Sequence, residues 1–294
     1  MTLEPTLLFC VGATKAGTTW LFDYLAGHRD CHLRSIKELH YFDCVETGRF
    51  GQQLKLQRAA AERLAARGAP EGSARAARLA RKRRDVADWI GVLSVRREDR
   101  AAYLGYLHDG IGARRLVADI TPAYALLPET RLRAMAGLSP GARFVYLLRD
   151  PVARLWSHVR MLARRESDAT GFEAAAGRIM DSVLDGAPSG AAERGDYAGS
   201  LTRLRAAVEP SRLLVMFQEE MTSLPGLARL CGFLGIAPEP GDFGKRVHEG
   251  APLALPEAQR ARAAAFLRPQ YDYVSRLFPD LPESWTQNMG SART

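Results

Sequence analysis

Short apolar runs recur along the chain, separated by longer segments that mix apolar and charged positions. The runs predict five β-strands at Leu7–Val11, Cys31–Leu33, Leu116–Ile120, Arg143–Leu148 and Arg212–Phe217. The mixed segments predict helices at Thr18–Gly27, Gln52–Asp88, Arg97–Leu107, Pro151–Arg165, Phe172–Leu184, Tyr197–Val208, Leu224–Leu234 and Pro256–Leu277. Strands that alternate with helices are typical of an α/β domain, so the sequence predicts a central parallel sheet flanked by helices.

The segment Gln52–Asp88 differs from the rest because it is rich in Ala and Arg and contains the basic run Arg81–Arg84. The tripeptide Gly68-Ala69-Pro70 interrupts it, which predicts one or two helices. Surface connections between core elements tolerate insertions. We therefore expect one domain over residues 1–294, with a helical insert at 46–110 as a candidate lid over an acceptor.

The composition is ordinary for a soluble globular protein. The 294 residues are 47% hydrophobic and 25% charged, and the chain is long enough to bury a full core. The net charge is +8 and the pI is about 9.6. A basic surface suits a polyanionic donor or an anionic acceptor, although an Ala- and Arg-rich composition also raises the charge without a functional reason.

Neither the cysteines nor the N-terminal segment indicates an extracellular protein. The residues Cys10, Cys31, Cys44 and Cys231 form no C-x-x-C pair and have no metal-ligand spacing, so we expect no disulfide framework and no metal. The first apolar run has no basic segment before it and enters a loop at Gly12, which is typical of a first strand rather than a signal peptide. No apolar stretch approaches the roughly 18 residues of a membrane span. We expect a soluble, cytoplasmic protein.

The loop after the first strand carries the first candidate chemistry. A strand, a glycine-bounded loop and a helix start together present N–H groups to an anion. A P-loop NTPase requires G-x-x-x-x-G-K-[ST]. Gly12 and Gly17 have that spacing, but Thr18 occupies the lysine position and the lysine lies inside the loop, at Lys15. The loop is therefore predicted to bind a phosphate, but not the β- and γ-phosphates of ATP with magnesium.

Three motifs in order carry a resemblance to sulfotransferases. The segment Lys15–Trp20 resembles their 5′-phosphosulfate loop, which binds the donor 3′-phosphoadenosine 5′-phosphosulfate (PAPS). The segment Lys37–Asp43 resembles a motif of the heparan-sulfate and bacterial branch, and Tyr146–Ser157 resembles the strand and helix that bind the 3′-phosphate. The resemblance covers Leu7–Ser157 and extends more weakly to about Trp285. It implies a P-loop-like three-layer domain around the central parallel sheet.

The resemblance implies a donor site built from these elements. Lys15 would lie near the bridging oxygen, where negative charge develops as the S–O bond breaks. Arg149 and Ser157 would hold the 3′-phosphate, unless Arg149 pairs with an acid such as Asp150. The implied donor-binding residues are Lys15, Ala16, Gly17, Thr18, Thr19, Trp20, Arg149, Ser157, Tyr197 and, in a late basic loop, Lys245 and Arg246.

Two neighbouring side chains are candidates for the general base that takes a proton from the acceptor. The resemblance assigns this role to Glu38, whose structural alternative is an ion pair with Lys37 or an arginine. His40 is the second candidate, because cytosolic small-molecule sulfotransferases use a histidine, although in a different sequence context. A core position for His40 is its structural alternative.

A third candidate for acid–base chemistry is Asp119. The segment Asp119–Tyr124 resembles the E-K-[ST]-P-x-Y motif of the family, but Ile120 stands where that motif has lysine. Asp119 is therefore either a second active-site carboxylate or a strand-end residue that caps a turn. Tyr124 is expected to line the acceptor pocket or to lie in the core.

These observations together predict a PAPS-dependent sulfotransferase that needs no metal. Its acceptor would be a hydroxyl or amine of a small metabolite, a lipid head group or a saccharide, and PAP would be the second product. One alternative is a P-loop small-molecule kinase, which Thr18 argues against. Another is a non-enzymatic binder of nucleic acid or other polyanions, which leaves Lys15 unexplained. A catalytically silent member is the third, which Ile120 keeps open. We expect no nucleic-acid partner, and the sequence sets neither the acceptor nor the oligomeric state.

Overall fold

A computed structural model of the chain describes residues 4–168, 170–244 and 253–290. Five parallel strands form one sheet in the order β2-β3-β1-β4-β5. The strands are β1 (Thr6–Gly12), β2 (Cys31–His32), β3 (Leu116–Ile120), β4 (Ala142–Leu148) and β5 (Leu213–Phe217). Each predicted strand is present, and the predicted α/β architecture with a central parallel sheet is confirmed.

Strand β1 lies in the middle of the sheet, with β3 and β4 paired on either side. Each residue of the segment Leu7–Val11 is at most 1% exposed. A strand that is covered on both faces reads as a continuous apolar run, which explains the pattern in the sequence. The carboxyl ends of β1, β3 and β4 consequently share one edge of the sheet, where α/β folds bind their ligands.

Helices connect the strands and flank the sheet. In the described part of the chain they are α1 (Thr18–Gly27), α2 (Tyr41–Thr47), α3 (Phe50–Ala65), α4 (Ala74–Ser94), α5 (Arg100–His108), α6 (Glu129–Ala136), α7 (Pro151–Glu166), α8 (Phe172–Leu184), α9 (Gly190–Glu193), α10 (Tyr197–Ala207), α11 (Gln218–Met221), α12 (Leu224–Leu234), α13 (Glu257–Phe266), α14 (Arg268–Leu277) and α15 (Glu283–Gly290). Two short 3-10 helices lie at Pro122–Leu126 and Pro210–Arg212. None of the described helices is long and apolar enough to cross a membrane.

Five of these helices were not predicted from the sequence: α2, α6, α9, α11 and α15. They contain between four and eight residues, which is too short for a helical period to stand out. The predicted helix Pro256–Leu277 is divided into α13 and α14 at Leu267. The predicted break near Pro70 separates α3 from α4, and Ser73 caps α4 by accepting from the Ala76 N–H at 3.1 Å.

The second half of the predicted insert 46–110 packs into the core of the domain. Trp89 of α4 is fully buried. Arg34, which is 4% exposed and follows β2, forms ion pairs with Asp85 of α4 at 3.0 Å and with Asp109 at 2.7 Å. These contacts fasten the carboxyl-terminal half of α4 and the end of α5 to the sheet. The first turns of α3 also reach the core through Phe50 and Leu54, whereas the first half of α4 has no buried residue.

Candidate active site

The loop after β1 places N–H groups and a lysine at the carboxyl edge of the sheet. Gly17 precedes α1 with φ 91°, and a Cβ added there would lie 3.0 Å from Met221 Cε. Helix α1 begins at Thr18 without a side-chain cap, so the N–H groups of its first turn are available to an anion. Lys15 has φ 72°, a left-handed conformation that is uncommon outside glycine and that concentrates at functional sites.

Arg149 connects this loop to the end of β4. Its guanidinium donates to the backbone carbonyl of Lys15 at 3.1 Å, so the two predicted anion-binding elements are in contact. The Tyr197 hydroxyl, at the start of α10, donates to the Arg149 carbonyl at 2.6 Å and holds the backbone there. Ser157 lies half-buried on α7, the helix that follows Arg149.

The alternative partner of Arg149 is already engaged elsewhere. The Asp150 carboxylate accepts hydrogen bonds from the Tyr271 hydroxyl at 2.5 Å, from the Asn288 amide at 2.9 Å and from the N–H of Ala153 at 2.7 Å. Asp150 therefore caps α7 and binds the carboxyl-terminal helices. This leaves the Arg149 guanidinium facing the loop after β1 rather than its neighbour in sequence.

Positive charge is concentrated around Lys15. Burial, together with the charges of Arg149, Arg160 and Lys37, lowers the pKa of Lys15, and Glu38 opposes them. Burial also lowers the pKa of Arg149. Cations in such proximity repel one another, so the arrangement is favourable only when a multiply charged anion binds among them.

A cavity of about 390 Å³ opens beside Arg149. Its lining includes Gln218 of α11, Arg260 of α13 and Asn288 of α15. The mixture of amide, guanidinium and carboxylate groups suits a polar ligand. The cavity extends the site towards α11 and α15, which the sequence pattern left unpredicted, and towards α13.

Glu38 and His40 form a second group at the end of β3. The Glu38 N–H donates to the Ile120 carbonyl at 3.2 Å. The Glu38 carboxylate accepts from Lys37 Nζ at 2.5 Å and lies 3.7 Å from His40 Nε2, while His40 Nδ1 lies 2.5 Å from an Asp43 carboxylate oxygen. Glu38 and His40 have φ 63° and 54°, so they share the left-handed backbone of Lys15.

The charges of this group shift the pKa values of Glu38 and His40 in the direction opposite to that of burial. Burial acts to raise the pKa of Glu38, but protonated His40 and the Lys37 ammonium outweigh it and hold the pKa at about 2. Burial acts to lower the pKa of His40, but Asp43 and Glu38 raise it to about 9. At neutral pH Glu38 is therefore ionised and able to accept a proton, whereas His40 is protonated and can only donate.

Asp119 lies in a different environment. It is 1% exposed, and its carboxylate accepts from Thr121 at 2.6 Å, Tyr103 at 2.8 Å and Tyr124 at 2.9 Å. The Tyr124 oxygen in turn accepts from the backbone N–H of Tyr41 at 2.9 Å. Asp119 thus connects β3 to α5 and α2 from within the core, and Tyr124 is one of its buried partners.

The predicted donor ligand Trp20 is nearly buried. It is 8% exposed, and its ring stacks with those of Tyr24 and Phe243 at centroid distances of 5.5 and 6.0 Å. Its indole N–H donates to the Asp242 carbonyl at 3.1 Å. Trp20 therefore anchors the segment around residues 241–243 to the helix that begins at the Lys15 loop.

Trp156, which the sequence analysis did not single out, makes a related contact from α7. Trp156 directly precedes Ser157 on the helix, and its indole N–H donates to the Leu253 carbonyl at 2.9 Å. The remaining predicted donor ligands, Lys245 and Arg246, lie outside the described residues.

Two buried basic side chains near Ser157 on α7, Arg154 and His158, were also not predicted from the sequence. Arg154 is fully buried, donates to the Ala191 carbonyl at 2.6 Å and forms no ion pair with an acid in the described ranges, and a Cβ at Gly195 would collide with its guanidinium. Burial and Arg154 lower the pKa of His158 to about 3, which keeps this imidazole neutral. The i, i+4 spacing puts the two on one face of α7, but a helical period does not predict a buried, unpaired arginine.

The predicted elements therefore meet at one edge of the sheet. The residues of the two groups are Lys15, Gly17, Thr18, Arg149 and Tyr197 on the anion-binding side and Lys37, Glu38, His40 and Asp43 on the other. Within the described ranges, no group of three or more His, Cys, Asp and Glu side chains is arranged to hold a metal ion. The arrangement places a cationic loop next to an ionised carboxylate.

Comparison with known proteins identifies relatives of this fold. A model of the "Sulfotransferase family" matches residues 5–240. A sulfotransferase from Alicyclobacillus acidocaldarius is 20% identical, with 97% of this chain and 100% of that chain covered and a TM-score of 0.63. The sulfotransferase domain of the Synechococcus PCC 7002 olefin synthase is 21% identical, with 95% and 97% covered and a TM-score of 0.52. The search of curated proteins gave no match.

Proposed function

The chain belongs to the sulfotransferase family, and we propose that it transfers the sulfuryl group of PAPS to a hydroxyl or amine of an acceptor and releases PAP. The observation that carries this proposal is the contact between Arg149 and Lys15. It joins the two elements predicted to bind anions in a region of concentrated positive charge. PAPS carries anionic groups at both its 3′ and 5′ ends, which such a pair of elements would bind together.

The donor would be oriented by backbone and side-chain groups. The N–H groups at the start of α1 would receive the 5′-phosphosulfate, and the helix dipole would favour its charge. Arg149 would hold the 3′-phosphate with parallel N–H donors, helped by Ser157. Trp20, as an anchor of the segment near 241–243, would support the donor site through packing.

Lys15 would stabilise the leaving group. During transfer the bond between sulfur and the bridging oxygen breaks, and a bond between sulfur and the acceptor oxygen or nitrogen forms. Negative charge develops on the bridging oxygen, so an ammonium placed there lowers the energy of the transition state more than that of the ground state. The other described cations near Lys15 lower its pKa and would be balanced once the donor is bound.

Glu38 would receive the acceptor proton. Its pKa of about 2 makes it a weak base for a free hydroxyl. The acidity of the hydroxyl rises steeply once its oxygen bonds to sulfur, so a weak carboxylate suffices if proton transfer is late. We assign His40 and Lys37 the role of holding this carboxylate ionised and in place.

Asp119 would act through structure rather than by contact with the acceptor. Its carboxylate is occupied by three hydroxyl donors within the core, which hold β3, α2 and α5 together below Glu38. With Ile120 in place of a lysine, the acceptor side has one cation fewer than the related motif. The acceptor remains a small metabolite, a lipid head group or a saccharide.

The test is ligand-dependent thermal stability, followed by turnover. A ligand present at 100 times its dissociation constant stabilises by about 2.7 kcal/mol, which a melting curve resolves. We expect PAP to stabilise the wild type more than ADP does, and Lys15→Ala and Arg149→Ala to weaken that effect. Release of PAP from PAPS should then depend on Lys15. Stabilisation by ATP with magnesium alone would favour the kinase alternative instead.

A further inference from the structure

Positive charge is segregated into the hairpin formed by α3 and the first half of α4. Residues 49–84, called the basic hairpin from here on, contain eleven Lys and Arg but two Glu, a net charge of +9. The whole chain carries +8, so the rest of the chain carries a net −1. The basic character of the protein thus resides in this one element.

Most of these cations are exposed and lack a counter-charge. Arg81 pairs with Asp85 at 3.9 Å, and Arg83 donates to the Leu64 carbonyl at the end of α3 at 2.9 Å. The other nine are exposed and form no ion pair with an acid in the described ranges: Arg49, Lys55, Arg58, Arg63, Arg67, Arg75, Arg78, Lys82 and Arg84.

The unpaired charges on the first half of α4 do not stabilise that helix. Arg75, Arg78 and Lys82 follow i, i+3, i+7 spacing and form one stripe along α4. Like charges at this spacing weaken a helix. The buried residues of α4 begin only at Asp85, so the core does not hold its first half. A stripe that weakens its own helix indicates a partner of opposite charge.

The surface of the basic hairpin indicates which class of anionic partner it would bind. Leu56 is its one exposed large apolar side chain among those described, so it lacks the aromatic and apolar anchors of an interface with a folded protein. The two best-formed cavities of the described chain are lined by residues outside 49–84. Guanidinium groups spread over two helices suit an extended anionic surface.

We propose that the basic hairpin docks this protein on an anionic phospholipid surface. Each Lys or Arg near such a surface adds to the attraction, and no matched shape is needed. Guanidinium groups bind phosphate oxygens with paired N–H donors. Because α3 follows α2, which directly follows Glu38 and His40, docking would hold the proposed acceptor side of the site near the lipid head groups.

Co-sedimentation of the full chain with vesicles tests the proposal. The vesicles are phosphatidylcholine alone or phosphatidylcholine mixed with phosphatidylglycerol, each at low and high salt. The wild type should bind the mixed vesicles and not the neutral ones, and the binding should fall as salt rises. The triple variant Arg75→Glu, Arg78→Glu and Lys82→Glu should bind at least about 100-fold more weakly.

A matched control variant distinguishes the effect of charge on the basic hairpin from the effect of the net charge of the whole protein. The triple variant Arg97→Glu, Arg114→Glu and Arg178→Glu changes the net charge equally at exposed positions outside the hairpin, and it should lose less than about 10-fold. The far-ultraviolet circular dichroism and the thermal unfolding midpoint of both variants should stay close to those of the wild type, which shows that they fold. If the first variant does not fold, its counterpart with glutamine at the three positions provides the same comparison.

Several results would overturn the proposal. They are failure of the wild type to bind anionic vesicles, equal binding to neutral ones, and an equal loss in the control variant. Binding to a soluble acidic polysaccharide or to DNA, with anionic vesicles bound no better than neutral ones, would assign the hairpin to another polyanion and overturn it as well. Because the readout is vesicle binding, the result does not depend on sulfuryl transfer.

Discussion

The guanidinium of Arg149 donates a hydrogen bond to the backbone carbonyl of Lys15, 3.1 Å away. The bond joins the ends of β1 and β4, which are neighbours in the sheet. A guanidinium has five N–H donors, so one bond to the loop leaves others for a ligand. The side chain proposed to bind the 3′-phosphate therefore also holds the loop that presents Lys15.

Replacing Arg149 should remove the preference for a 3′-phosphate. We expect Arg149→Ala to weaken PAP binding roughly 10- to 100-fold, because hydrogen bonds to charged groups contribute about 1.5–3 kcal/mol. ADP lacks the 3′-phosphate and should bind nearly as before. Isothermal titration of both nucleotides measures the difference, with Arg178→Ala on the exposed face of α8 as the control. Equal losses for PAP and ADP would mean that Arg149 acts only on the loop.

Replacing Glu38 should affect turnover and not donor binding. Glu38→Gln keeps the size of the side chain but removes the proton acceptor, so we expect PAPS-dependent turnover to fall about 10²- to 10⁴-fold. The affinity for PAP should stay within a factor of about three, since the role proposed for Glu38 concerns the acceptor. Glu62→Gln, at an exposed position of α3, is the control. Full activity of Glu38→Gln would exclude it as the base.

The pairing of His40 with Asp43 and Glu38 should appear as a pH dependence of stability. Its pKa is about 9 in the folded protein, above the ordinary value of 6.5. The stabilisation is therefore complete below pH 6.5 and is lost as the pH rises through 9, by an amount on the order of 3 kcal/mol. The free energy of unfolding, measured by urea titration, should show this slope in the wild type and in His108→Asn but not in His40→Asn. A flat wild-type profile would contradict the ion pairs.

The backbone at Gly17 should not tolerate a side chain. Gly17→Ala would place a Cβ at φ 91° and 3.0 Å from Met221 Cε, so we expect a loss of about 1–2 kcal/mol in stability and weaker PAP binding. Gly91→Ala is the matched control, because nothing lies within 4 Å of its added Cβ in α4. It should stabilise the protein by up to about 1 kcal/mol. Thermal unfolding with and without PAP compares the two, and an equally benign Gly17→Ala would show an unconstrained loop.

Much of the frame could be predicted because its signals are local. The continuous apolar run Leu7–Val11 marks a strand buried on both faces, and Asp150 with the following proline marks the start of α7. Helices such as α11 and α15 escaped prediction because a single turn or two carries no measurable period. Their positions depend on packing against β5 and α13, which no local pattern records.

The residues of the candidate site could be predicted from the sequence, but the contacts and the exposure of their side chains could not. Lys15 and Arg149 were found from motifs, but their contact joins positions 134 residues apart. In the sequence, Glu38 and Asp119 are both candidates for acid–base chemistry, and nothing local separates them. The fold leaves the Glu38 side chain 42% exposed beside Lys37 and encloses Asp119 among three hydroxyl donors.

The sequence by itself determined the strands, the glycine-bounded loop after β1 and the family, because apolar runs, glycine spacing and ordered motifs are properties of neighbouring residues. Only the tertiary structure decided which carboxylate is ionised and accessible, that Trp20 is an anchor, and that Arg154 lies buried without an acid partner. Burial and charge arise from segments that are distant along the chain and meet only when the sheet assembles. The pKa and the accessibility of each side chain therefore depend on contacts that only the folded chain makes.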